Sequence, residues 1–485
     1  MKKIAYNHNL ALKWLGVAAL GTVLSTGALA DSLLFRDVNV VDVRSGEVLR
    51  ERALRVEDER IVAILPDADA QAGADEAVID GRGRYLAPGL MDMHLHLQVP
   101  EHATMNLVRG VTTVRNMWGN PQTLAWKAMV EEGTLPGARI VTAGALVDGD
   151  PPIWNMGETV MTDPASADAF VRAQQRAGYD FVKTYSRLEP AVFAALLAAG
   201  EKYGMEISGH VPQDVPLRNA IEGGLRTSEH MIGVLHAVAA DRSLANPSLS
   251  PYDERAKALV LALGRGEIAA EGFIDPARVE EVARLAREHG HWFVATTRVM
   301  RNFGTDPVPY IDGMEQYMGP MEKGMLPLIK AGTIGQVFFK LSPEHQKGED
   351  VHQQLRRQAI LALYKAGAPI LVGTDSFMSA AGTVAIDEML SLEALGMPRD
   401  AVLRAATLEP ARYLGREGEL GEVREGAIAD FVLLEGNPLE DLAALKQLSG
   451  VAKAGEWYDR GALDAMLDEL AVAFAAMPAG EGGAH

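Results

Sequence analysis

The sequence contains no cysteine among its 485 residues. Disulfides, thiolate metal sites and a cysteine nucleophile are therefore excluded, and cysteine usage says nothing of the redox compartment. Positive charge is scarce. Lys and Arg number 46 against 65 Asp and Glu, a net charge of −19. A chain this acidic is repelled by a phosphate backbone, so nucleic-acid binding is not expected. The 48 Gly and 24 Pro fall well short of a low-complexity or collagen-like composition. Long apolar runs are also missing, apart from Trp14–Leu24 (WLGVAALGTVL). That run is short for a membrane span of about 20 residues. It follows Lys2, Lys3 and Lys13 and precedes Ala28-Leu29-Ala30, a small-x-small site before Asp31. The pattern predicts a signal peptide over residues 1–30, hence an exported protein, periplasmic or secreted, with no stable membrane span after cleavage. The remaining length suffices for a large core plus a satellite domain.

Both chain ends read as short strands. Residues 33–64 alternate apolar runs with polar turns, Asp42–Glu47 (DVRSGE) being one turn cluster. Ala429–Leu434 and the stretch from Val451 (VAKAGEWYD) read the same way. The two ends are expected to pair into one small β domain, discontinuous in sequence. Between them, short apolar strands alternate with helical stretches, which argues for parallel βα units. Eight strands are predicted: Gly89–His94, Thr112–Arg115, Arg139–Ala143, Phe181–Tyr185, Glu206–His210, Arg226–His230, Trp292–Thr296 and Ile370–Thr374. Helices are predicted at Ser166–Ala177, Pro190–Tyr203 and Pro276–His289. The expected fold class is α/β, a (β/α)8 TIM barrel with insertions at 234–275 and 301–350 over its mouth. Leu463–Ala475 (LDAMLDELAVAFA) reads as an amphipathic helix packed on the barrel.

The polar residues at the strand ends carry chemistry. His94 and His96 form an H-x-H pair, so both imidazoles project from one face of a strand. His210, His230 and Asp375 end three further strands. Lys183 lies inside a fourth (FVKTY), where a bare ammonium would be costly. Neutral imidazoles and a carboxylate are zinc ligands, and this set exceeds what one zinc needs. Two ions at about 3.5–4 Å would use it all, provided Lys183 became an anion. Reaction of the neutral amine with carbon dioxide to a carbamate does that, and burial favours the neutral amine. His102, His236, His289, His291, His345 and His352 lie off the strand ends and read as surface or loop residues. His8 falls in the signal segment and His485 in a Gly-rich tail. Arg115 reads as half of a structural ion pair.

The runs YLAPGLMDMHLHL (85–97), GVTTVRN (110–116), FVKTY (181–185), SGHVP (208–212), TSEHM (227–231) and GTDS (373–376) together resemble the amidohydrolase superfamily, in its exported branch with imidazolonepropionase and the metal-dependent prolidases. The tail ADFVLLEGNPLEDL (429–442) resembles that family's closing β segment, so the likeness covers 33–458. The resemblance implies a barrel domain over 88–415, a small β-sandwich over 31–87 and 416–458, and a C-terminal helix and tail over 459–485. It implies that His94 and His96 bind the more buried of two divalent ions, zinc by expectation, beside Asp375. His210 and His230 would bind the second, and carboxylated Lys183 would bridge both. Asp375 would act as general base on a metal-bound hydroxide attacking an amide of a dipeptide, an Xaa-Pro peptide or an N-acyl amino acid. Tyr185 is a candidate for contact with that small-molecule substrate. Barrels of this family often pair, so a homo-oligomer is also expected. Two departures fall near the pocket: Asn116 where many relatives carry Asp, and DGDPPIW (148–154) where relatives often have Gly-Gly-His. The alternatives are a mononuclear deaminase acting on a heterocycle, a hydrolase of cyclic amides or lactones, and a non-catalytic binding barrel.

Overall fold

The computed structural model describes residues 32–244, 254–306, 313–333, 337, 340–376 and 383–477. The segment 1–30, His8 and His485 lie outside them. Four strands open the chain: β1 (Ser32–Asp42), β2 (Glu47–Glu57), β3 (Arg60–Pro66) and β4 (Glu76–Pro88). The Asp42–Glu47 turn is closed by the Asp42 carboxylate, which accepts from the backbone N–H of Arg44 (2.8 Å) and Ser45 (3.2 Å). Ten parallel-sheet strands follow. They are β5 (Leu90–Leu95), β6 (Val111–Asn116), β7 (Arg139–Thr142), β8 (Val147–Asp148), β9 (Thr159–Val160), β10 (Phe181–Thr184), β11 (Glu206–Gly209), β12 (Thr227–Glu229), β13 (Trp292–Val294) and β14 (Ile370–Leu371). β15 (Phe431–Leu434), β16 (Leu448–Lys453) and β17 (Glu456–Asp459) close the order.

The two ends do share one sheet, ordered β17-β16-β15-β4-β1-β2-β3. The joint is the antiparallel pairing of β15 with β4, from Phe431 opposite Pro88 to Leu434 opposite Tyr85. Its core is mainly aliphatic around an aromatic cluster: Phe35 meets Phe431 and Trp457 edge-on, at centroid distances of 5.2 and 4.9 Å.

Strands β5-β6-β7 form one parallel sheet and β14-β13-β12-β11-β10-β8-β9 another. Parallel bridges link them at both sides, Leu95 to Ser376 and Ala143 to Phe181. All eight predicted central strands are present. The helices Ala167–Ala177, Pro190–Tyr203 and Pro276–Glu288 stand where the pattern placed them, within one residue. The last begins at Asp275, whose side chain accepts from the Ala277 N–H at 2.9 Å. The helix Arg460–Ala476 buries Leu463, Leu470 and Phe474, and Phe474 stacks on His102 of the helix Glu101–Leu107. No helix of the described residues is long and apolar enough to cross a membrane.

Candidate active site

Because neighbouring strands run parallel, their C-terminal ends lie at one end of the sheet and their terminal side chains meet there. His94 is fully buried and His96 partly exposed. The chain after β14 returns to them: the Asp375 N–H donates to the His94 carbonyl at 2.7 Å. Asp375 Oδ1 lies 3.0 Å from His96 Nε2 and 3.2 Å from His94 Nε2, and its Oδ2 lies 3.9 Å from His230 Nδ1. His94, His230 and Asp375 each offer one ligand atom, all within 4.8 Å of one another. The His210 ring joins the group 4.9 Å from that of His230. Lys183 is buried on β10 beside Gly209. A Cβ at Gly209 would lie 2.4 Å from the Thr184 carbonyl and 2.9 Å from Lys183 Cδ, so glycine makes the room in which the lysine stem runs. The structure thus gathers the predicted residues at one end of the sheet.

The charges around them have physical causes. Burial pulls the Lys183 amine down to about 8, against the opposing pull of Glu229 and Asp375. Burial likewise pushes His96, His210 and His230 below the ordinary imidazole range. It works against charge on Asp375, but the surrounding imidazoles of His230, His94 and His96 outweigh it and keep the carboxyl ionised. Neutral imidazoles facing a carboxylate are the protonation states a metal ion needs.

Three residues that sequence reasoning passed over orient those imidazoles. Glu229 Oε2 lies 2.6 Å from His94 Nδ1, and Glu229 Oε1 lies 3.2 Å from Arg115. Burial opposes charge on Glu229, but Arg115 and His94 hold it ionised. An ionised carboxylate only accepts, so His94 Nδ1 donates to Glu229 and Nε2 is the nitrogen left for a further partner. That Nε2 is buried and makes no hydrogen bond among the described residues. It lies 3.2 Å from Asp375 Oδ1, so two ligand-type atoms face each other across a gap that a cation could share. Ser186 Oγ meets His210 Nδ1 at 2.8 Å, and Thr296 Oγ1 meets His230 Nδ1 at 2.8 Å. These contacts orient both rings, and His230 Nδ1 is also the nitrogen 3.9 Å from Asp375 Oδ2. One signal for Glu229 was available: an acid inside a buried strand needs a partner. Four non-glycine residues at the exits of β12, β13 and β14 hold left-handed backbone, namely His230, Met231, Thr296 and Asp375. Such strain gathers where a side chain must be aimed.

The remaining expectations divide. Arg115 forms the structural ion pair expected of it, with further bonds to the Met93 carbonyl (3.0 Å) and Thr227 Oγ1 (2.8 Å). Asn116 is a structural clasp. It accepts from the Leu97 N–H at 2.8 Å and donates to the Trp118 carbonyl and Thr142 Oγ1. The surface reading of the other histidines needs correction, because His102, His236, His291 and His345 are buried. His291, for example, bonds the Leu225 carbonyl at 2.7 Å and Ser228 Oγ at 3.1 Å. Burial pushes both His102 and His291 down to about 4, so they pack as neutral rings. His289 is exposed, as expected. Tyr185 is buried and stacks on His210 with ring centroids 4.0 Å apart.

Comparison with known proteins agrees with this geometry. Ochratoxinase of Aspergillus niger is 23% identical over 85% of this chain and 84% of its own length. An adenine deaminase of Rubrobacter xylanophilus is 39% identical, but the match spans only 18% of this chain and 14% of that enzyme. The solved structure of an Xaa-Pro dipeptidase with methionine in its active site superposes with a TM-score of 0.63 at 21% identity, covering 88% of this chain and 100% of that one. The sequence model of the amidohydrolase family matches residues 85–458, most of the chain and all of the site. The chain belongs to the amidohydrolase family, the metal-dependent hydrolases of carbon–nitrogen bonds.

Proposed function

We propose that this chain is a binuclear metallohydrolase that cleaves the amide bond of a dipeptide, an Xaa-Pro peptide or an N-acyl amino acid. The observation that carries the reading is the clamped His94: Nδ1 held by ionised Glu229, with a buried Nε2 that makes no hydrogen bond among the described residues and lies 3.2 Å from Asp375 Oδ1. His94, His96 and Asp375 would hold one divalent ion, and His210 and His230 the other, with zinc favoured by the donor set. Lys183 would join both as a carbamate: its amine nitrogen bonds the carbon of carbon dioxide and loses a proton. When bound, two such ions supply Lewis acidity toward a carbonyl and toward water. The residues supply the rest. Asp375 takes a proton from the attacking water and returns it to the leaving nitrogen. Ser186, Thr296 and Glu229 keep the imidazoles aimed, and Tyr185 offers its hydroxyl region to the substrate beside His210.

The same reading takes the two parallel sheets as one (β/α)8 barrel over 88–415, supported by the bridges Leu95–Ser376 and Ala143–Phe181. It takes the sheet of the chain ends as the core of a small β-sandwich domain over 31–87 and 416–458, and 459–485 as a C-terminal helix and tail. It also includes export, on the pattern of residues 1–30, with Asp31 as the mature N-terminus. A mononuclear deaminase is the second reading, favoured by the compactness of the three-residue group His94, His230 and Asp375. One experiment separates them: metal content per chain, paired with a hydrolysis screen of dipeptides, Xaa-Pro peptides and N-acyl amino acids. About two ions in fully active protein, with release of an amino acid, is the expected result. Full activity with one ion, or ammonia release from heterocycles alone, overturns the binuclear amide reading.

A further inference from the structure

The departure at 148–154 acquires a purpose in three dimensions. Asp148 is buried, and its carboxylate accepts three backbone N–H groups: Gly149 at 2.9 Å, Ile153 at 2.8 Å and Arg187 at 2.7 Å. One side chain therefore ties the loop between β8 and β9 both to itself and to the segment after β10. The approach is close, since a Cβ at Gly149 would lie 1.9 Å from the Arg187 carbonyl. From the other side Arg187 donates to the Pro151 carbonyl at 2.8 Å. A loop pinned this way holds its next aromatic residue in place. Trp154 Nε1 donates to the Tyr185 hydroxyl oxygen at 2.7 Å, and the Tyr185 ring stacks on His210. Trp154 is half-buried. Met156, 55% exposed, and Val160, 47% exposed, follow on the same stretch of chain. Large apolar side chains are left so exposed only where something covers them or where chance scatters them singly. Met156 and Val160 are two such side chains within five residues, on the stretch that carries Trp154.

We propose that Trp154 is a specificity-determining residue. With Tyr185 it forms an aromatic wall on the His210 side of the site, and this wall receives the aromatic side chain of the substrate's amino acid. An indole held by its only donor keeps its ring plane fixed, and a planar side chain then gains contact at little ordering cost. The proposal rests on the amide-hydrolase reading for its substrate class, so its test is read from binding rather than from turnover.

The test is calorimetric titration of the zinc-loaded full chain with L-phenylalanine and with L-alanine, in wild type, Trp154→Ala and Trp154→Phe. The wild type is expected to bind phenylalanine about ten- to a hundredfold tighter than alanine. Trp154→Ala should erase that ratio, chiefly by weakening phenylalanine binding about ten- to a hundredfold. Trp154→Phe keeps a ring without the N–H, and is expected to retain part of the preference. It also serves as the test if the alanine variant fails to fold. A wild type without preference, or a ratio unchanged in either folded variant, overturns the proposal. If the preference and its loss are both seen but no amide substrate is cleaved, the wall stands and the amide-hydrolase reading falls.

Discussion

The sheet made by the chain ends and the parallel strands of the centre treat polar residues differently. In β2 the residues run from exposed to buried within one strand, and Arg36 of β1 and Arg55 of β2 pair with Asp67 and Glu76. Every residue of β5, β6 and β10 is buried. A polar side chain there has no water, so it is kept only with a partner or a task. Asp92 shows the cost. Burial raises it to about 6 even though it accepts from the Thr374 N–H and hydroxyl. Surface polarity therefore says little about function in the terminal sheet. In the central strands each buried polar or charged side chain is a lead, and His94, Lys183, Arg115 and Glu229 all lead to one place.

Substitutions can break that contrast. The largest effect is expected from Asp375→Asn. It should fold and melt as the wild type does, while kcat against the substrate found by screening falls about 10²–10⁴-fold. A kcat within a few-fold of wild type would show that the base lies elsewhere. Next comes Phe35→Ala, on the other side of the comparison. Losing the ring between Phe431 and Trp457 should cost about 3–5 kcal/mol in urea unfolding. Activity per folded molecule should not change, and a tenfold drop would mean that the terminal sheet helps to shape the site. Glu229→Gln keeps a hydrogen-bond acceptor near His94 but removes the charge shared with Arg115. Zinc affinity, measured by chelator competition, should fall about 10–100-fold. Unaltered affinity would reduce Glu229 to a partner of Arg115. The smallest effect belongs to Asn116→Asp. It preserves acceptance from Leu97 and loses two donors, toward Trp118 and Thr142. A loss of about 1–3 kcal/mol in thermal stability is expected, with the metal content intact. No loss would show that the clasp is dispensable.

Much of the site was legible because its residues are strand-end residues. A short apolar run followed by histidine or aspartate is a local pattern, and the eight runs stand where the pattern put them. The buried histidines were misread for the same reason. Nothing next to His102 in sequence announces that Phe474 will cover it, and nothing next to His291 announces Leu225 and Ser228. Glu229 stood in plain view one residue before His230, but its partner His94 lies 135 positions away. Thr296 lies 66 positions from His230.

The sequence by itself determined where the strands run and which ligand-type groups stand at their ends, because periodicity and residue chemistry are properties of neighbours along the chain. Only the tertiary structure decided which side chain meets each imidazole and which carboxylate accepts from His94. It also decided that a loop of unusual composition would carry an indole onto Tyr185. Those facts depend on which distant segments cross at one point in space. The burial that joins them, rather than any local propensity, turns scattered polar residues into a site.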